Sequence, residues 1–274
     1  MLSKAVKLYF RVLQIRYILS NLHKNGITLP NLEIVTMLEI IHDSDLHYGW
    51  SGLEPREIKK SHPGRIVKSS ASIVIVTGDL TDDGRNGAKI NLGLTKFRYG
   101  GRRNQLKSLM TNYVTPIEES GKKVYLCSGN HDKGKQILKV FRNQPVRRAI
   151  RQRHGANTYA VEHEGLRFLI MGKYPKELIW LSNQLREHSD SPHIIAFHYN
   201  LQGKYSDWWP DAVKDRFYKI IKDYRIVAIL VGHTHISDVS VWQGIQVITS
   251  SNKFSRIYYD TVNQKITDVS FARL

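Results

Sequence analysis

Eight side chains suited to binding metal or carrying protons stand at the ends of five short apolar runs. Asp45 and His47 follow "TMLEIIHDS", and Asp79 closes "SSASIVIVTGD". Asn130 and His131 close "KKVYLCSGNH", His198 closes "HIIAFH", and His233 and His235 close "RIVAILVGHTH". The set mixes imidazole nitrogen with carboxylate and amide oxygen and has no thiolate. Such donors suit borderline divalent ions (Mn, Fe or Zn) better than a soft-metal site, and the imidazole content argues against Mg or Ca alone. In an extended chain, residues two apart point to the same face. Asp45 and His47 could then grip one ion together, as could His233 and His235. A carboxylate such as Asp79 can bridge two ions, and two ions about 4 Å apart form the clamp used for in-line displacement at phosphorus.

Side chains so placed need strands to deliver them. Each run is short, β-rich and ends abruptly in polar residues, which predicts a sheet with its active site along one edge. Gly78, Gly129 and Gly232 adjoin the candidate ligands and permit a sharp exit from the sheet. "NQLKSLMTNYVTPIEESG", "PKELIWLSNQLREHS" and "DAVKDRFYKIIKDY" read as helices before the third, fourth and fifth strands. That alternation predicts α/β layering around a largely parallel core. "NTYAVEHEGLRFLIMG" and "SVWQGIQVITSSNKFSRIYYDTVNQKITDVSF" predict hairpins or meanders that extend sheets, and "GLTKFRYGGRRNQ" predicts a surface loop. "YSDWWPD" puts Tyr205, Trp208 and Trp209 on a loop after His198. Those rings either stack on a nucleobase or seal the loop onto the domain.

At 274 residues and 41% hydrophobic content the chain reads as an ordinary globular protein of one large domain or two small ones. Its single cysteine, Cys127, excludes an internal disulfide and a cysteine zinc cluster; it reads as core packing and fits a cytoplasmic location. Lysine and arginine number 41 against 24 acidic residues, a formal charge of +17. That excess favours polyanionic partners: nucleic acid, phosphorylated small molecules or an anionic membrane surface. No apolar run reaches the length of a transmembrane segment, and Lys4, Lys7, Arg11 and Arg16 break up any secretory signal. Residues 1–36 read as a basic helical extension, with Lys4, Lys7 and Arg11 on one face and Val6, Phe10, Leu13 and Tyr17 at spacings of three or four. Residues 37–274 read as the domain that carries the candidate site, the catalytic domain if those residues act as enzyme groups.

"SDLHYG", "GDLTDDG", "GNHD", "AFHYN" and "GHTH", in that order from residue 45 to 235, resemble the motifs of the calcineurin-like metallophosphoesterases. The resemblance implies a four-layer α/β/β/α sandwich with a dinuclear metal site at the C-terminal ends of the strands. It implies Asp45, His47 and His235 as ligands of one metal, Asp79 as the bridge, and Asn130, His198 and His233 as ligands of the second. His131 resembles the histidine that contacts the phosphoryl group and protonates the departing oxygen, and Asp82 the carboxylate that orients it. His42 and Asp43 are then strand or supporting residues, because Asp43 would need another register to reach the ions. The implied activity is hydrolysis of phosphate mono- or diesters by a metal-bridging hydroxide, with His131 as general acid.

"GDLTDDG" and "GNHD" depart from the protein Ser/Thr phosphatase branch, which carries an Arg directly after the second aspartate of its second motif and a Glu closing its third. "KELIWLSNQL" is similar to a helix of the small phosphodiesterase and purple-acid-phosphatase-like branch, although "LIMGKYPKE" is shorter than its counterpart in many relatives. A nucleotide-like diester fits both the aromatics and the basic surface. The alternative is a DNA nuclease of the double-strand-break repair type. The charge supports it, as do Arg98, Arg102, Arg103, Arg142, Arg147, Arg148, Arg151 and Arg153, which could track a phosphate backbone. Against it, only 39 residues follow His235, too few for the capping domain of those nucleases. The intact ligand set speaks against a scaffold that has lost its metals.

Overall fold

The structure, a computed structural model, describes residues 37–49, 59–82, 88–92, 95–99, 102–132 and 158–272. The extension expected over 1–36 and the arginines from Arg142 to Arg153 lie outside the described residues. All described residues belong to the unit Thr36–Leu274.

In chain order the first strands are β1 (Met37–Asp43), β2 (Ile73–Thr77), β3 (Ala88–Leu92), β4 (Thr95–Tyr99) and β5 (Lys123–Cys127). Then come β6 (Thr158–His163), β7 (Leu166–Met171), β8 (His193–Ala196) and β9 (Ile226–Val231). The last four are β10 (Asp238–Trp242), β11 (Ile245–Thr249), β12 (Ser255–Asp260) and β13 (Lys265–Phe271). They form a five-stranded sheet of order β13-β12-β1-β2-β5, a six-stranded sheet of order β10-β11-β9-β8-β7-β6, and the separate β3-β4 hairpin. β1, β2 and β5 run parallel, as do β7, β8, β9 and β11.

The period-two alternation of the apolar runs explains the layering. Along β8 and into the residue after it, Ile194 and Ala196 join one core while Ile195 and Phe197 join the other; Ala228 and Leu230 of β9 alternate likewise with Ile229 and Val231. The first core lies between the sheets and runs on to α1 (His62–Lys68), α2 (Arg102–Leu109) and α3 (Thr115–Glu119), through Ile66, Leu106, Leu109 and Ile117. A π-helical turn, Met110–Val114, joins α2 to α3. The second core is filled by α4 (Leu178–Glu187) and α5 (Asp211–Ile221), with Trp180, Leu181, Leu185, Phe217 and Ile221 against the six-stranded sheet. Strands covered on both faces read as unbroken hydrophobic runs, as these do. No helix among the described residues is long and apolar enough to cross a membrane.

Three expectations change in detail. The five ligand-bearing strands divide between two sheets, β1, β2 and β5 in one and β8 and β9 in the other, because strand grammar carries no information on which strands pair. Thr95–Tyr99, expected in a surface loop, pairs antiparallel with Ala88–Leu92; Thr95, Phe97 and Tyr99 alternate with Lys96 and Arg98 as a strand requires. The C-terminal meander splits. β10 and β11 close one edge of the six-stranded sheet, while β12 crosses over to pair with β1. The β6–β7 hairpin forms as expected, with Glu164 and Gly165 both at positive φ (49° and 76°), the geometry of a tight hairpin turn.

Candidate metal centre

The ligand-type residues lie beyond the strand ends, and their backbone is not extended. Asp45, His47, Asp79, His233 and His235 all have positive φ, between 48° and 74°. Left-handed backbone costs of order 1–3 kcal/mol at a non-glycine residue and clusters at functional sites; aspartate and histidine are among the types that tolerate it best. The loops are held by one another. Asp45 N–H donates to the Gly78 carbonyl (3.0 Å), His47 N–H to Asp79 (2.9 Å) and Tyr48 N–H to Leu80 (3.0 Å), so parallel pairing continues past the strands. Two of the glycines, Gly129 and Gly232, serve close approach and not left-handed backbone, for neither has a positive φ. A Cβ on Gly129 would collide with Asp79, and one on Gly232 with the Ser44 hydroxyl.

Three groups of side chains could each hold an ion: Asp45, His47 and His235; His47, Asp79 and His131; and Asp79, His198 and His233. In the first, Asp45 Oδ2 accepts from the His233 N–H (2.9 Å) and from Ser251 Oγ (2.7 Å). Its Oδ1 lies 3.6 Å from His235 Nε2 and 3.9 Å from His47 Nε2. Asp79 divides its oxygens in the same way. Oδ1 accepts from the His131 N–H (2.9 Å), while Oδ2 lies 3.2 Å from His198 Nε2 and 3.8 Å from His47 Nε2. His198 Nδ1 donates to the Thr77 carbonyl (2.7 Å), which turns Nε2 toward Asp79 and Asn130 Oδ1 (3.0 Å). His233 and His235, which could grip one ion together only in an extended chain and which the resemblance assigns to different ions, fall in different groups because both leave the extended conformation.

The residues fit divalent ions. Asp45 Oδ1 and His233 Nε2 are buried and have no hydrogen-bond partner among the described residues. An unsatisfied buried polar atom costs about 1–3 kcal/mol, a penalty that a cation would remove. Burial pushes the His47 and His233 imidazoles down to about 4, so both rings are neutral at pH 7 as ligands must be. Burial also opposes charge on His198, but the Asp79 carboxylate outweighs it and lifts that ring to about 9. The same contact holds the Asp79 carboxyl well below its usual range, against a burial that would raise it.

His131 stands at the rim with its side chain 39% exposed and Nε2 3.9 Å from Asp79 Oδ2. Its Nδ1 meets the backbone carbonyl of Asp82, and the Asp82 carboxylate lies 3.8 Å from His47 Nδ1. The contact expected from the Asp82 carboxylate is thus supplied by its main chain. Beside the site the two readings of "YSDWWPD" separate. Trp209 is buried and donates to the Asn200 carbonyl (2.9 Å), sealing the loop. Trp208 and Tyr205 are 48% and 38% exposed, with ring centroids 4.4 Å and 5.3 Å from His233.

Several residues support the ligands, and Ser251 among them has no signal in sequence. Ser251 reaches Asp45 from 206 positions away, through the β11–β12 connection. Asp132 accepts from the backbone of Gly129 (2.8 Å), Leu80 (3.0 Å) and Thr81 (3.0 Å), tying the loops after β2 and β5 together. Asp43, fully buried, is taken up by Lys59 (2.9 Å), His62 (2.8 Å) and Tyr113 (2.9 Å). His42 Nε2 meets Thr77 Oγ1 at 2.8 Å.

The family model of the calcineurin-like phosphoesterases matches residues 38–237. No curated protein matches the sequence. Among solved structures, a dimetal phosphatase from Danio rerio is similar, with a TM-score of 0.56 and 12% identity over 81% of this chain and 92% of its own. A phosphatase from Mycoplasma pneumoniae is similar with a TM-score of 0.46 and 14% identity over 88% of this chain and 94% of its own. At 12% identity the likeness to the Danio rerio protein is one of fold alone. The match to the family model, which spans most of the chain and every motif from Asp45 to His235, gives the classification: the chain belongs to the calcineurin-like phosphoesterases, metal-dependent hydrolases of phosphate esters.

Proposed function

We propose that the protein hydrolyses small phosphate mono- or diesters at a two-ion centre. Asp45, His47 and His235 would hold one ion, Asn130, His198 and His233 would hold the other, and Asp79 would serve both. The observation that carries this reading is the position of Asp79 Oδ2, within 3.9 Å of imidazole nitrogens from His47, His131 and His198 at once. Mn, Fe or Zn suits the donors. Bound there, such ions would acidify a water and neutralise charge on the phosphoryl oxygens.

The chain's own contributions are positional and protonic. His131 donates a proton from Nε2 to the leaving oxygen, and Asp82 acts as its positioning residue, since Nδ1 against the Asp82 carbonyl fixes the ring. Trp208 and Tyr205 form an exposed aromatic wall beside His233 that suits a flat leaving group, such as a nucleobase-bearing or aryl alcohol. Trp208→Ala is expected to raise KM for an aryl diester about tenfold, at a cost of about 1–3 kcal/mol for lost stacking, with kcat little changed. Steady-state kinetics on aryl and alkyl diesters check this, and an equal effect on both would contradict it.

His198 supplies a pH signature. A ring lifted to about 9 is protonated at pH 7 in the metal-free protein. It must lose that proton to become a ligand, so metal loading at pH 7 releases about one proton, and affinity rises with pH until about pH 9. Calorimetric titration in buffers of different ionisation enthalpy reads the proton count; heats independent of buffer would contradict the assignment.

The reading as a whole is tested by assaying the protein with Mn on bis-p-nitrophenyl phosphate, p-nitrophenyl phosphate, and single- and double-stranded DNA. Chelator-sensitive hydrolysis of the chromogenic esters with DNA left intact supports it. Salt-sensitive DNA cleavage would replace it with the nuclease alternative.

A further inference from the structure

A second pocket, of about 700 Å³, opens where the end of α1 meets β12 and β13. Its walls carry three cations, Arg65, Lys68 and Arg256, and two phenyl rings, Phe254 and Phe271. Ser270 adds a hydroxyl to the lining, while the hydroxyls of Ser69 and Ser70, also in the wall, donate to the Ile66 carbonyl and to Glu39. Glu39, buried beneath, accepts from Arg256 Nε (2.6 Å), and the Arg256 guanidinium lies over the Tyr258 ring, 5.6 Å from its centroid. Arg65 lies over the Phe254 ring, 5.5 Å from its centroid. Among the described residues no carboxylate comes within ion-pair distance of Arg65 or Lys68.

Cations in the last turn of a helix complement its dipole, and that alone would account for Arg65 and Lys68. It does not account for Arg256, which comes from β12. Cations from two separate elements make an anion receptor, and guanidinium groups suit the oxygens of a phosphate. The phenyl rings and the volume, which falls within the range of small-molecule sites, call for an apolar body attached to the anion. We propose that this pocket binds a small phosphate monoester with an apolar or aromatic body, at a site separate from the metal centre. Phe254 carries the pocket to within one ring of the Asp43 network, with its centroid 5.0 Å from that of His62.

The test uses the full-length chain carrying Asp79→Asn, treated with chelator, so that the metal centre neither turns over nor retains a probe through bound ions. Phenyl phosphate, inorganic phosphate and phosphatidic acid vesicles are titrated calorimetrically, and circular dichroism confirms the fold of each variant. Phenyl phosphate is expected to bind saturably and more tightly than inorganic phosphate. Arg65→Ala and, separately, Lys68→Glu are each expected to weaken it about tenfold. In the otherwise wild-type chain, the same two changes leave hydrolysis of bis-p-nitrophenyl phosphate unaltered. Binding that survives both substitutions, equal binding of phenyl and inorganic phosphate, or binding of vesicles alone would overturn the proposal.

Discussion

Asp79→Asn abolishes hydrolysis, with kcat expected to fall by about 1,000-fold or more, the equivalent of losing several kcal/mol of charge stabilisation. Asp79 Oδ2 is the oxygen toward which His198, His47 and His131 converge, at 3.2, 3.8 and 3.9 Å. An amide keeps the shape and can still accept the His131 N–H through its carbonyl oxygen, so the loop after β5 remains anchored. What is lost is a buried negative charge shared by both halves of the site. His198 loses the carboxylate that lifts it, and its pKa falls in response to burial. The ring then becomes neutral, so the fold survives while metal affinity drops. Circular dichroism separates this from unfolding. A variant that keeps wild-type activity would remove Asp79 from the centre.

His131→Ala is the second large effect, and its signature differs. A general acid is worth a factor of about 100 to 10,000, and the loss should depend on the leaving group. An alkoxide needs the proton far more than p-nitrophenolate does, so kcat for an alkyl ester falls by the larger factor and that for the nitrophenyl ester by the smaller. The side chain is 39% exposed and packs at the rim, so stability changes little. Metal content should be retained. A loss equal for good and poor leaving groups, together with a fall in bound metal, would make His131 a ligand instead.

Much of this was legible in sequence, for identifiable reasons. The apolar runs before Asp45, Asp79, Asn130, His198 and His233 are buried on both faces, and unbroken hydrophobicity is the pattern that such burial produces. Their assignment to two sheets was not legible from the runs, because pairing is decided by long-range register; β1, for instance, finds its antiparallel neighbour in Ser255–Asp260. Spacing brought His233 and His235 together as a pair in an extended strand. The structure turns both into left-handed backbone and sends them to different ligand groups. The Asp43 network escaped notice because a lysine at position 59 and a histidine at 62 look like an exposed polar stretch. Only tertiary burial makes Lys59 an internal counter-ion, beside an Asp43 carboxyl held low by His62 and Lys59 against its own burial. Ser251 could not be found at all, since nothing in "ITSSNKF" marks one serine as a donor to Asp45.

The central claim is that two ions share Asp79. The most direct measurement of it is metal stoichiometry, obtained by titrating the chelated protein with Zn or Mn and measuring bound metal per chain after exhaustive dialysis. The account predicts about two ions for the wild type, about one each for His235→Ala and His198→Ala, and further loss in Asp79→Asn. A wild-type chain that saturates with one ion, or a His235→Ala variant that still binds two, would contradict it.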